Sequence, residues 1–546
     1  MIQMPESSVD AVVRSTSNPL KRRIQVGVHT FQNPTWFFVA AFFASACLGV
    51  IISYTTEIAV FRFALIVVGI GAMVVLARNV ARLDWLFAIL PLLVLIYFGL
   101  TNDWAERVGK VRWLDPVLIW LASWQPRIAG LQMDSNALGG VLAMLMPLQI
   151  AALWRARRIA LSAILIGVSV LGLVLSESRG AWIALAMITG VGVLWRGIGL
   201  VTQDNRRKQI AIFISLLALI AIVGFVSLLS PLGQSLLTRR NDRVFVWRNA
   251  FDLARDYPFT GLGLGAFEMA YSSYVLIVHV GHTTHAHNLF LDVWLEQGLL
   301  GLLAFAGLVI VAALNALEAR HIAALASLGV IVFHGFLDDP FYGYGAIAIP
   351  FLFVPFALAT QPSRFARWLV PMFASALVIG IGAIGLVPNA RAQFEANLAA
   401  RAQTRAELTV FHWHEWAIQD KLRRARQVEL APIIAQYQNA RVLDRANVSA
   451  HRRLGQIELS FGQYDAARAD FEIAFANAPD QFATRLLLGE LVAIAGDANR
   501  AVELWMPLDI SAGQLPARVW WYEHLGEAEH AARLKRAITL LDDRTR

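Results

Sequence analysis

Cysteine is almost missing from this chain. Its one copy, Cys47, lies inside an apolar run. That excludes an internal disulfide framework and any cysteine-rich zinc or iron–sulfur site. Charge is scarce as well: Asp, Glu, Lys and Arg make up 16% of residues, against about 25% in a soluble domain. Hydrophobic residues reach 57%. A chain built this way is a polytopic membrane protein with soluble additions, and the expected fold class is all-α. The polar N-terminus ends in Lys21, Arg22 and Arg23, with no short apolar segment leading to a small-residue cleavage site. We therefore read no cleaved signal peptide. Much of the +8 net charge lies in loops between apolar runs, where it bears on orientation. Nucleic-acid binding is not expected.

Apolar runs long enough to cross about 30 Å of hydrocarbon fall at 34–53, 61–77, 83–100, 136–153, 159–175, 180–196 and 209–230. Four more follow, at 288–315, 322–337, 343–360 and 367–387, so eleven spans are expected. The segment 114–123 is too short to span and reads as an interfacial or re-entrant piece. If every span crosses, Lys21–Arg23, Arg78/Arg82, Arg155/Arg157/Arg158, Arg206–Lys208, Arg320 and Arg364/Arg367 fall on one side. The positive-inside bias makes that side cytoplasmic. Residues 1–33 then form a cytoplasmic tail and 34–387 the membrane domain. The loops 101–135 and 231–287, and everything after about 388, lie outside.

Beyond Val387 the composition turns to Ala, Arg, Glu and Gln at helical spacing. Residues 388–430 read as a helical linker leaving the membrane. A period then emerges over 431–546: Leu454-Gly455 recurs as Leu488-Gly489, and Ala467 as Ala501. Tyr464, Phe471, Ala474 and Pro479 stand where a tetratricopeptide-like helix pair needs an aromatic filler, small crossing residues and a terminating proline. Such arrays bind or scaffold partners, so a protein partner is expected here and no chemistry.

The chemistry concentrates between Ser230 and Gly301. Arg239, Arg240, Arg243, Arg248 and Arg255 flank Trp247, while His282, His285 and His287 stand at the lip of the run that starts at Leu289. A cationic cluster beside histidines at a membrane surface suits a lipid-borne phosphate and a hydroxyl to be activated. Arg243 and Trp247, four apart, share a helical face. A solvated amphipathic helix over 242–256 is the plain alternative. The H-x-x-H-x-H spacing could ligate a metal. However, the nearby carboxylates, Asp292 and Glu296, lie inside the following span, so no metal is expected. Arg179, in SESRGAW, either snorkels to headgroups or grips a phosphate with its planar fork. The run GLGLGAF (261–267) matches neither a dinucleotide nor a Walker loop and reads as a flexible turn allowing close backbone approach. Asp338 and Asp339 could pair the arginines, orient a histidine or simply cap a helix end.

Together SESRGAWIAL (176–185), Arg243-x-x-x-Trp247-x-x-Ala250, the P-x-x-G-x-G-x-G-x-F run from Pro258 to Phe267 and HAHNLFLDVWLEQGLLG (285–301) resemble the O-antigen ligase and O-antigen polymerase superfamily of bacterial membrane glycosyltransferases. DSNALGGVLAMLMPL (134–148) is a weaker match. The resemblance covers roughly 130–360. It implies transfer of a glycan from an undecaprenyl-diphosphate carrier to an acceptor hydroxyl at the external face of the inner membrane, with no cofactor or metal. Carried onto this chain, Arg179 and Arg243 would hold the diphosphate and His287 would activate or position the acceptor. Arg248, His285, Trp247 and Glu296 would contact substrate. The acceptor implied is a lipid, a glycan end (a polymerase) or a protein (an O-oligosaccharyltransferase). A lipid-linked sugar transporter and a non-catalytic scaffold are the alternatives from other classes.

Overall fold

The computed structural model describes residues 33–105, 112, 115–125, 131–203, 205, 207–212, 215–216, 242–275, 283–343, 347–411 and 418–545. All regular structure among them is helical. In the membrane half these helices are α1 (Pro34–Ile52), α2 (Thr56–Thr101), α3 (Asp115–Trp124), α4 (Ser135–Ala156), α5 (Ile159–Ser176) and α6 (Arg179–Val201). After the polar loop, which carries α7 (Asp242–Asp256) and α8 (Phe267–Val275), come α9 (Leu289–Glu318), α10 (Ile322–Leu337), the one-turn pieces α11 (Ile349–Leu352) and α12 (Val354–Ala357), and α13 (Leu369–Leu386).

Seven stretches of described helix are long and apolar enough to cross a membrane. Two further apolar helices, Trp85–Thr101 and α10, are shorter. The expected spans at 61–77 and 83–100 appear as the two arms of α2. Asn79 leaves helical geometry (φ −127°, ψ 20°). A straight 46-residue helix would run about 69 Å, more than twice the hydrocarbon core. Instead the arms take different partners: Gly69 abuts Phe353, whereas Ala88 accepts a bond from Gln149 of α4. The expected span at 209–230 lies almost wholly outside the described residues.

One expectation fails. The described residues 347–360 do not make a continuous helix, because Pro350 and Pro355 each start a new single turn. Proline lacks the amide that would continue the ladder and clashes with the preceding turn. Broken backbone at membrane depth is tolerated where protein covers it, and Ile349, Leu352, Phe353, Val354 and Phe356 are all buried. The segment still passes from one level of α9 to another. Tyr342 receives a bond from Gln297 near one end, and Ala359 receives one from Asn315 near the other.

The helix α9 is itself broken at Gly298 (φ 68°). The glycine loop fills that break. Leu262 donates to the Leu295 carbonyl at 2.6 Å, Leu299 donates to Pro258 at 2.9 Å, and the Trp294 indole donates to the same Pro258 carbonyl at 3.0 Å. A side chain at Gly298 would strike the Phe259 carbonyl, and one at Gly263 would strike the Ser53 backbone. The glycines thus serve backbone-to-backbone packing within the protein, where a flexible turn toward substrate or membrane was expected.

Only Val387 separates α13 from α14 (Pro388–Leu408). Next come α15 (Gln419–Arg424), α16 (Ala431–Leu443) and three helical hairpins. The hairpins are α17 (Val448–Ser460) with α18 (Tyr464–Asn477), α19 (Phe482–Ala495) with α20 (Ala498–Trp505), and α21 (Gln514–His524) with α22 (Ala528–Thr545). In the first, Gly455 receives the Phe471 ring; in the second, Gly489 receives the Trp505 indole. The glycine gap and its aromatic filler recur at the same offset, so the periodicity in sequence is a packing repeat.

This C-terminal part is docked tightly on the polar loop. Asp256, at the end of α7, is fully buried against Arg452, Arg453 and Ser449, with 2.9 Å to Arg453 Nε and 2.6 Å to Ser449 Oγ. Burial pushes its carboxyl up, but the two guanidinium groups outweigh that and hold it below its ordinary range. Asn397 of α14 accepts from the Phe259 and Thr260 amides at 3.0 and 3.2 Å. The residues 388–430, expected as a linker, are packed at their start between the loop and the hairpins.

Candidate active site

Four elements meet around one carboxylate. The short turn 283–288 supplies the histidines, α7 supplies an arginine and a tryptophan, α10 ends at the carboxylate, and α6 begins nearby. Asn288 caps α9 by accepting from the Phe290 and Leu291 amides, both at 3.1 Å. The chain enters that cap through His287, whose backbone is left-handed (φ 52°). Two bonds hold the turn: the Ala286 amide donates to Asp292 Oδ1 at 2.7 Å, and the Trp247 indole donates to the His287 carbonyl at 2.9 Å.

Asp338, the C-cap of α10, is the hub. Its Oδ1 lies 3.0 Å from His287 Nδ1 and accepts the Asp339 amide at 2.9 Å. Nε2 of His285 stands 3.6 Å from the same oxygen, beyond hydrogen-bond length. The other oxygen, Oδ2, accepts from Arg243 Nη2 at 3.1 Å, while Arg243 Nη1 donates to the Leu337 carbonyl at 2.9 Å. Burial raises the Asp338 carboxyl, but the two imidazoles and Arg243 outweigh it and keep it well below the usual carboxylate range. It is a fixed anion. His285, fully buried and with Nδ1 2.9 Å from Thr284 Oγ1, is pushed down to about 4 by desolvation and is neutral near pH 7. His287 keeps 22% of its side chain exposed and Arg243 keeps 44%. These two face open space; Asp338 does not.

The predicted residues fall in four places. Arg243, Trp247, His285 and His287 come together around Asp338. Glu296 lies deeper and pairs with Arg62 at 2.6 Å. Arg62 also donates to the Tyr342 and Gly343 carbonyls at 3.2 and 3.4 Å, so it ties α2 to the turn that carries Asp338. Arg179 opens α6 on an exposed face, and among the described residues it has no hydrogen bond or ion pair. Its neighbour Gly180 packs on the His334 ring, whose carbonyl accepts the Asp338 amide at 2.8 Å. Arg248 faces away from the histidines, into a groove against the C-terminal hairpins. His282, Arg239 and Arg240 lie outside the described residues.

Asp338 was one of several readings for an acidic pair, and its sequence gave no sign that it gathers groups from three elements. Arg62 was not singled out, although a signal existed: it is the one charge within the apolar run 58–77, and a charge at membrane depth needs a partner. Beneath the hub a second acid pair forms. Asp292 and Asp339 lie beside each other, and burial pushes the Asp339 carboxyl up.

By spacing alone His285, His287 and Asp338 could hold a divalent ion, since their ligand atoms lie within 4.8 Å of one another. The guanidinium of Arg243 on the same carboxylate opposes a second cation there. The arrangement suits acid–base chemistry better. A carboxylate on Nδ1 fixes the imidazole tautomer and leaves Nε2 to take a proton.

Residues 163–306 match the model of the O-antigen ligase family. Over that stretch, about a quarter of its 546 residues, the chain is similar to the O-antigen ligase superfamily. The matched stretch contains Arg179, Arg243, Trp247, Arg248, His285, His287 and Glu296, and it ends before Asp338. No curated protein and no solved structure matches the chain. The match indicates a glycosyltransferase of the O-antigen ligase or polymerase kind in polysaccharide biosynthesis, and the apolar helices agree with a multi-pass inner-membrane protein.

Proposed function

We propose that this ligase-family protein transfers a glycan from an undecaprenyl-diphosphate carrier to an acceptor hydroxyl at the external face of the inner membrane. The observation that carries this reading is the pairing of Arg243 and His287 on the two oxygens of Asp338. Nε2 of His287 takes the proton of the acceptor hydroxyl. The freed oxygen attacks the anomeric carbon of the first donor sugar. The bond from that carbon to the carrier diphosphate breaks, and the diphosphate leaves with its electron pair. Arg243 and Arg179 stabilise the leaving charge, where fixed cations act most strongly. Attack opposite the leaving group inverts the anomeric centre. Asp338 holds base and cation a fixed distance apart and balances the imidazolium as it forms. No step draws on a metal or cofactor. With the termini as the charge bias sets them, the N-terminal tail is cytoplasmic and the C-terminal hairpins are external.

The test is mass analysis of products after the purified protein is mixed with a polyprenyl-diphosphate glycan and native membrane extract, with and without a chelator. Glycan should move to a new molecule in both conditions, whose mass names the acceptor as lipid, glycan or protein. Removing the base should cost about 10²–10⁴-fold in rate, so His287→Ala and Arg243→Ala should retain membrane insertion and lose transfer. Normal transfer by both variants overturns the proposal. Movement of donor across liposomes with no bond broken would make the protein a transporter instead.

A further inference from the structure

We propose that the groove between α7 and the turn joining α18 to α19 is a saccharide-binding subsite of this enzyme, a reading that rests on the glycan transfer proposed above. The groove is a cavity of about 250 Å³. One wall is the α7 face bearing Arg248, Phe251, Asp252 and Arg255, which recur at i, i+3, i+4 and i+7 as one helical face does. The other wall carries Asn477 and Asp480 of the C-terminal hairpins.

Continuity with the reacting groups comes from the geometry of α7. Arg243 and Trp247 point at Asp338 and His287. Phe251 lies one turn beyond Trp247 on that face and three residues from Arg248, so it joins the two surfaces. Its ring is 48% exposed and stands edge-on to Trp294, with centroids 5.8 Å apart. A chain held at His287 can therefore run along Trp247 and Phe251 into the groove.

The lining chemistry fits a hydroxyl-rich chain better than an anion. Two guanidinium groups and two carboxylates balance in charge, whereas a phosphate or anionic-lipid site gathers cations. Arg248 and Arg255 both act electrostatically on Asp252, Arg255 at 3.7 Å, and Asn477 and Asp480 are exposed. Donors and acceptors thus alternate around an aromatic ring, as vicinal hydroxyls and an apolar sugar face require. The outer wall is also rigid against α7. Asp256 binds Arg452 and Arg453, and Phe245 packs edge-on to Phe482 at 5.2 Å. The C-terminal hairpins would then help select the saccharide.

Binding is measured on full-length protein in phosphatidylethanolamine–phosphatidylglycerol nanodiscs. One fluorescent probe is the glycan released from its polyprenyl carrier by mild acid; the other is the acid-released saccharide of the membrane acceptor fraction. Phe251→Ala and, in the exposed turn, Asp480→Ala should each weaken binding of one probe at least about tenfold. The probe affected tells whether the groove takes the donor chain or the acceptor. Because no transfer is needed, the readout does not depend on the catalytic step, and Gly71→Ala protein, with nothing within 4 Å of the added Cβ, should bind like the unmodified protein. Normal transfer by His287→Ala would sink the catalytic reading while leaving this readout intact. Equal affinities in unmodified, Phe251→Ala and Asp480→Ala proteins, or no binding of either probe to the unmodified protein, overturn the saccharide groove.

Discussion

Nδ1 of His287 lies 3.0 Å from Oδ1 of Asp338, fifty-one residues along the chain. The same carboxylate carries Arg243 on its other oxygen. One buried anion therefore sets the orientation of an imidazole and the position of a guanidinium at once. Asp338→Asn keeps the shape and removes the charge. Transfer should fall about 100-fold, the lower end of the range for lost acid–base assistance, with the protein still inserted in the membrane. Transfer rates of the purified variant check this; activity within about twofold of the unmodified protein would show that the carboxylate does not serve the reaction.

Arg62 and Glu296 form an ion pair with side-chain exposures of 12% and 2%. Removing one partner of such a pair leaves a buried charge alone, at about 3–5 kcal/mol. Arg62→Ala should therefore lower the melting temperature in detergent sharply. Replacing both residues together, as Arg62→Met with Glu296→Leu, should recover most of the loss. A double variant as unstable as the single one would mean that Arg62 acts mainly by its bonds to the Tyr342 and Gly343 carbonyls.

Gly298 combines a left-handed backbone with direct contact to the Phe259 carbonyl. Gly298→Ala meets both strain and collision and should destabilise the membrane domain by more than about 3 kcal/mol. Gly71→Ala is the control, since nothing lies within 4 Å of an added Cβ there. Detergent melting curves of the two variants should differ clearly, and equal curves would refute the plug formed by residues 258–267.

Asp256 bears on the docking of the C-terminal hairpins. Its folded-state carboxyl titrates below the ordinary value of about 3.9. The unfolded chain therefore binds more protons than the folded one in that window. The stabilisation is complete above about pH 4 and is lost as pH falls through the depressed folded value. Limited proteolysis of the C-terminal part should accelerate below pH 4. Asp256→Asn should show the same sensitivity at neutral pH, because it strands two buried guanidinium groups at about 3–5 kcal/mol.

Much of the membrane architecture was legible because crossing a bilayer demands runs of about 20 apolar residues, and such runs show in one dimension. Residues 343–360 misled for a physical reason. Their composition is that of a span, but Pro350 and Pro355 divide it, and only burial against neighbouring helices makes broken backbone acceptable. The glycine loop misled differently. Its spacing announced close backbone approach but not the partner, which is the break at Gly298 thirty-odd residues later.

At the candidate site, residue type and nearness to the membrane lip drew attention to Arg243, Trp247, His285 and His287, which lie close enough in the chain to be read as one stretch. By itself the sequence determined an all-helical, many-span chain, the period that repeats Leu454-Gly455 as Leu488-Gly489, and the polar stretch where chemistry would gather. Tertiary structure alone decided that Asp338 is the hub, that Arg62 meets Glu296, and that Arg248 turns from the histidines toward the C-terminal hairpins. Periodicity and composition report what one segment needs, an apolar face or a helix end. They carry no record of which distant segment supplies a buried charge with its partner, because that choice is made when the helices pack.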